Sequence, residues 1–226
     1  MSAAPTNSSG LTAAQKLVAV VSVLAIIASS VWIYRREFGP SQINLKMHQA
    51  VGQALAQETA RALGHTGTVV IVTMEAGSAP EIKTQVAAFE KELKLLGAIS
   101  VKDTVVLDPG DNPKYRPGSG LSAKRFLKIA RKHQSAGAIV SFVGAPGLSD
   151  EDLAQMKSVP KFIAETHSPE KLVSLFDKRI LLAAVVPRYE FPAPGPKKPR
   201  TGKDWFDRYF QVIAPDSALP KPDEVP

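Results

Sequence analysis

The chain has no cysteine among its 226 residues, which removes disulfides, thiolate nucleophiles and Cys-ligated zinc or iron–sulfur sites. Histidine is scarce as well. The four present, His48, His65, His133 and His167, show no metal-ligand spacing. No G-x-S-x-G elbow positions a serine nucleophile. Catalytic machinery is therefore not visible, no cofactor or metal is expected, and a non-enzymatic role leads.

Charge is missing from one long stretch. Between Leu17 and Tyr34 (LVAVVSVLAIIASSVWIY) no acidic or basic side chain interrupts the apolar run. About 20 such residues in a helix cross ~30 Å of hydrocarbon. Lys16 can reach back to the interface, Trp32 and Tyr34 sit where interfacial aromatics belong, and Arg35 and Arg36 close the span. Gly39-Pro40 then ends the helix. A cleavable signal peptide competes, with Ala28-Ser29-Ser30 as small residues, but it lacks the usual basic leader. A prepilin-like segment fails, because Gln15 stands where that pattern has glutamate. An uncleaved single-pass anchor is expected, with the lipid bilayer as partner through residues 17–34.

Elsewhere the balance is basic, with formal net charge +7. That favours anionic partners, against the plainer alternative of solvated surface charge. The cations concentrate at Lys124, Arg125, Lys128, Arg131 and Lys132, on one helical segment. An anionic membrane surface suits them. Nucleic acid is disfavoured, since no aromatic platform or recognised module accompanies them.

After the anchor, hydrophobic periodicity alternates. Gln42 to Leu63 is amphipathic, with Leu45, Val51, Leu55 and Leu63 roughly on one face and Gly64 as its C-terminal cap. Strands are expected at Thr68 to Met74, Ile99 to Leu107, Ala138 to Val143, Lys161 to Ala164 and Ile180 to Val186. Helices are expected at Pro80 to Leu96, Ser122 to Gln134, from Ser149 with Asp152 in a capping box, and from Ser168-Pro169. Five apolar runs alternating with helices predict an α/β fold: a doubly wound, mostly parallel five-stranded sheet with helices on both faces, behind an N-terminal transmembrane helix. Residues 1–40 form the N-tail and anchor and residues 41–188 the domain. Residues 189–226 form a Pro-rich basic linker and tail, partly docked at 205–213, where Trp205 to Ile213 suggests an edge strand.

In such sheets ligands sit beyond the carboxyl ends of the strands. The loops there contain Glu75, Gly77 and Ser78, then Gly144, then Glu165 and His167, and these are the candidate ligand-binding residues. Amides of the Glu75 to Pro80 loop suit an anion, whereas Glu75 suits ligand hydroxyls; turn and capping chemistry also accounts for the loops. His167, beside a helix start, suits a local hydrogen bond better than catalysis. Gly118-Ser119-Gly120-Leu121-Ser122-Ala123 formally fits a dinucleotide pattern but does not follow its strand directly. Gly195 to Lys203 has the wrong spacing for a phosphate loop. A phospho-receiver would need paired acids where Glu75 stands alone, and an aspartate at Val143-Gly144.

The order of elements, with AGAIVSFVGAPGLSDEDLAQMKSVPKFIAE from Ala136 to Glu165, resembles the N-terminal lobe of type I periplasmic substrate-binding proteins. There a helix leads into a G-(V/I)DGIIL strand, followed by a short acidic helix and an (I/V)P-(V/I)V strand. Ser135 to Val140, Ser149 to Leu153 and Val159 to Ile163 occupy those places, and the resemblance runs from Gly67 to Arg188. It implies a binding role, within a transport or envelope complex, for a small-molecule ligand. That family closes two lobes on its ligand, and this length suits one, so a partner subunit or a homo-oligomer would supply the other wall. It also favours the extracytoplasmic side for the domain, whereas Arg35, Arg36 and Lys46 against Lys16 alone would place it in the cytoplasm. The alternatives are a small α/β ligand-binding or enzymatic domain using the carboxyl rim, and a basic domain on anionic lipid or nucleic acid.

Overall fold

The computed structural model describes residues 13–37, 44–75, 79–108, 120–154, 160–168, 172–188 and 199–215, with side chains of the first segment described to residue 32. The chain divides into two compact units, Met1–Ile43 and Asn44–Pro226.

The first unit holds helix α1, Ala13–Glu37. Its Ala13–Trp32 stretch is 20 residues long, with mean hydropathy 1.9 and no part buried inside the protein. At 1.5 Å per residue that stretch is about 30 Å long, enough to cross a bilayer.

The second unit begins with helix α2, Leu45–Leu63, capped by the Asn44 side chain accepting from the Met47 amide. It ends at Gly64, whose φ of 63° is the left-handed turn that glycine adopts at low cost. Then follow strand β1 (Thr66–Met74), helix α3 (Pro80–Leu96), β2 (Ala98–Leu107), α4 (Ala123–Lys132), β3 (Ala138–Ser141), α5 (Asp150–Ala154), β4 (Lys161–Glu165), α6 (Leu172–Asp177), β5 (Leu181–Pro187), α7 (Gly202–Tyr209) and β6 (Phe210–Ile213). The α3 boundaries match those expected, with proline in its first turn and Gly97 beyond its end. The Ser149–Asp152 capping box forms, each backbone amide bonding the other's side chain.

The strands lie in the order β2-β1-β3-β4-β5-β6. Strands β1 to β5 pair in parallel, and β6 runs antiparallel to β5. The sheet therefore has six strands rather than the five expected. The sixth comes from the Trp205 to Ile213 stretch expected as one strand: its first part belongs to a helix, Gly202–Tyr209, and only Phe210–Ile213 is strand. A capping box starts that helix. Thr201 Oγ1 accepts from the Asp204 amide while the Asp204 carboxylate accepts from the Thr201 amide.

Strand alternation sends side chains to two faces. Val69, Ile71, Val140, Ile163 and Val185 pack under α2 and α3, with Val51, Leu55, Phe89 and Leu93. Val70, Val72, Ile139, Phe162 and Val186 pack under α4 and α6, with Phe126, Ile129, Leu172 and Leu175. Covering both faces is why the central strands are continuous apolar runs. Two details of the expected pattern differ. Leu45 is 49% exposed, outside the buried stripe of α2, and β2 is an edge strand, largely exposed. The edge carries a bulge, since Val69 pairs with Val101 but Val70 with Asp103, which leaves Lys102 unmatched.

Candidate functional site at the carboxyl rim

Strand order places the topological switch between β1 and β3, because the chain leaves β1 in one direction for β2 and returns past it to β3. The loops expected to matter leave β1, β3 and β4, which are successive strands. Gly77 and Ser78 lie outside the described residues, as does 109–119 with the first half of the dinucleotide-like pattern. Glu75 is exposed at the end of β1.

Gly144 follows β3 with φ of 101°. A Cβ there would lie 2.6 Å from Gly120 Cα, so two backbones cross where no side chain fits. Below it Ser141 Oγ donates to the Gly144 carbonyl at 2.7 Å and accepts from the Val143 amide at 3.3 Å. Residues 141–146 are all buried. The β3 loop is thus a fixed floor, held by its own hydrogen bonds.

The polar chemistry lies one strand over. Glu165 ends β4 on the parity of Ile163, facing α2, and is buried. Its carboxylate accepts from His167 Nε2 at 3.0 Å. That hydrogen bond raises the His167 pKa above its ordinary value, more than burial lowers it. Thr166 between them is buried; its amide donates to the Val185 carbonyl at 3.0 Å and its Oγ1 accepts from the Ser168 amide at 3.2 Å.

Two residues of this cluster were not anticipated. His48 on α2 and Gln85 on α3 meet at 3.2 Å between His48 Nδ1 and Gln85 Nε2. Burial lowers the His48 pKa, while the Glu81 and Glu165 carboxylates oppose that shift and His167 adds to it. Gln85 is 3% exposed, and its Oε1 has no hydrogen-bond partner. Their signal was present in the periodicity. His48 extends the Val51 and Leu55 stripe by one turn, and Gln85 extends the Phe89 and Leu93 stripe. A polar residue at the rim end of each apolar stripe marks where core gives way to site. Among the described residues no three His, Asp or Glu side chains are grouped to hold a metal ion.

The cationic residues stand apart from this cluster, on α4. Phe126, Leu127, Ile129 and Ala130 are buried, while Lys124, Lys128, Arg131 and Lys132 are exposed and Arg125 is half-buried. Lys132 Nζ reaches Asp103 at 3.4 Å.

No family model matches the chain, and no curated protein matches it. Solved structures do. A structure of XylFII has a TM-score of 0.50 at 16% identity, over 74% of this chain and 60% of that one. A XylFII–LytSN complex gives a TM-score of 0.51 at 16% identity, over 76% and 61%. AraP, an arabinose-binding protein from Geobacillus stearothermophilus, gives 0.46 at 15% identity, over 62% of this chain and 45% of that one. The chain spans about half the length of the sugar-binding proteins it matches. In fold, therefore, this chain resembles part of the XylFII structure.

Proposed function

We propose that this protein is a membrane-anchored, non-enzymatic binding domain that offers the carboxyl rim of a single lobe to a small polar solute. The α1 helix is the anchor, and residues 41–188 are the lobe. The observation that carries the reading is the arrangement at the ends of β3 and β4. There a rigid glycine crossing adjoins a buried carboxylate and two imidazoles, with Gln85 Oε1 left unpartnered. Fixed polar groups at the edge of an apolar core are how such sites orient hydrogen-bonding ligands. Glu165 serves as acceptor, Gln85 supplies the amide, and the Gly144–Gly120 crossing fixes the floor beside them. Glu75, exposed at the end of β1, is the further candidate contact on this rim. A second wall comes from a partner subunit or a second copy, and one structural neighbour is itself a complex with another protein.

The test uses the full chain in nanodiscs and a thermal-shift panel of sugars, amino acids and other neutral solutes. A solute that raises the melting temperature in wild type, with the shift lost in Glu165→Gln, supports the reading. A panel without any shift, or an equal shift in Glu165→Gln, removes the solute site. Alkaline washing of membranes checks the anchor: release of the chain into the supernatant would refute it.

A further inference from the structure

The α4 helix carries a charge pattern that the fold uses only in part. All five of its ionisable residues are basic, and none is acidic. By contrast α3 mixes Glu81, Glu90 and Glu92 with Lys83, Lys91 and Lys94, as a merely solvated helix does. The apolar side of α4 is buried against the sheet, so the charged stripe is held outward. Lys124, Lys128 and Lys132 fall at i, i+4 and i+8, where like charges repel. Lys124 and Arg125 also occupy the first turn, where the helix dipole opposes cations and no acid offsets them. Among the described residues Asp103 of β2 pairs with Lys132, and Arg125 and Arg131 each have an interaction of their own. No described carboxylate lies within ion-pair distance of Lys124 or Lys128. Both unfavourable arrangements are relieved by one thing, an anionic surface laid along the helix.

We infer that the Lys124–Lys128–Lys132 stripe of α4 docks on anionic phospholipid headgroups. Two observations select lipid over nucleic acid. The same chain carries a 20-residue apolar helix with mean hydropathy 1.9 that is nowhere buried, and, resting on the proposed reading of that helix as an anchor, tethering raises the effective concentration of lipid for the rest of the chain. The aromatic side chain of α4, Phe126, is wholly buried, so no ring is exposed on this helix to stack on bases. The stripe acts independently of the solute site at the rim.

The experiment takes the full chain in phosphatidylcholine nanodiscs and measures co-flotation with added vesicles, either pure phosphatidylcholine or phosphatidylcholine with phosphatidylglycerol. Binding is expected only to the anionic vesicles, and it should weaken as salt rises. Each lysine near an anionic surface contributes about a fivefold gain in affinity. Lys124→Gln/Lys128→Gln/Lys132→Gln should therefore bind roughly a hundredfold more weakly. The control Lys83→Gln/Lys91→Gln/Lys94→Gln removes the same charge from α3 and should bind within about twofold of wild type. Glutamine preserves helix propensity, and unchanged circular dichroism shows that the triple variant folds. Equal binding to neutral vesicles, equal weakening in both triple variants, or tighter binding to a DNA duplex than to anionic vesicles at the same salt would each overturn the assignment.

Discussion

Gly52 sits where α2 crosses α3, and replacing it with alanine sets two known effects against each other. In a helix interior alanine is better than glycine by about 1 kcal/mol. Here the added Cβ would lie 2.1 Å from the Gln85 carbonyl oxygen, 2.9 Å from its carbon and 3.1 Å from Ala88 Cβ. Those distances are far inside the ~3.5 Å at which non-bonded heavy atoms pack. The obstruction is backbone, so no side-chain rotation removes it. The helices must separate, yet both are pressed to the sheet through Val51, Leu55, Phe89 and Leu93, each no more than 1% exposed. Overpacking of this kind costs about 3 kcal/mol, which leaves a net loss of about 2 kcal/mol after the propensity gain. For a unit of this size the melting temperature should fall by about 4–8 °C. The assay is thermal unfolding of the full chain followed by near-ultraviolet dichroism, which reports loss of fixed packing around aromatic side chains such as Phe89 and Phe142. Gly147→Ala is the control, because its Cβ would meet nothing within 4 Å. A Gly52→Ala protein as stable as wild type, or more so, would refute the close α2–α3 crossing and with it the juxtaposition of His48 and Gln85.

Two further outcomes follow from the site and the C-terminal helix. The Glu165 hydrogen bond raises the folded pKa of His167 above 6.5, so its stabilisation is complete below that pH and disappears as pH rises through the folded value. Urea midpoints of wild type and His167→Gln should therefore differ most in acid and converge in mild alkali, and a constant difference across pH would exclude the ion pair. His48 has the opposite sign: its folded pKa is lowered by burial, so it penalises the fold as pH falls through 6.5 towards the folded value. Thr201→Ala removes the hydroxyl that accepts from the Asp204 amide, while the Thr201 amide can still donate to the Asp204 carboxylate, and should cost about 1 kcal/mol. Amide exchange should accelerate in α7 while β1 and β3 stay protected; uniform acceleration would contradict a local role for the cap.

The elements of the α/β core were legible in local chemistry, because their signals are local. Pro80 and Gly97 bound α3, Gly64 takes the left-handed turn after α2, and the apolar run of β1 needs two covered faces. The aromatic segment after Trp205 was misread for a physical reason. Aromatic residues favour strands, but Thr201 and Asp204 form a reciprocal cap that starts a helix first. That cap was readable and outweighed propensity over the eight residues of α7.

The candidate site divides in the same way. Glu165, His167 and Gly144 could be placed on the rim because strand ends are visible in sequence and doubly wound sheets bind there. The pairing of His48 with Gln85, 37 residues apart, depends on the crossing of two helices, and no local pattern encodes which helix another will cross. Whether Glu165 faces α2 or α4 depends on strand parity within the finished sheet. By itself, then, the sequence determined the apolar span, the alternation of strands and helices and the cationic stripe, all set by neighbours along the chain. Only the tertiary structure decided the strand order, the antiparallel sixth strand and the convergence of His48, Gln85, Glu165 and His167. Those arise from contacts between distant segments, whose free energy exists only once both faces of the sheet are covered.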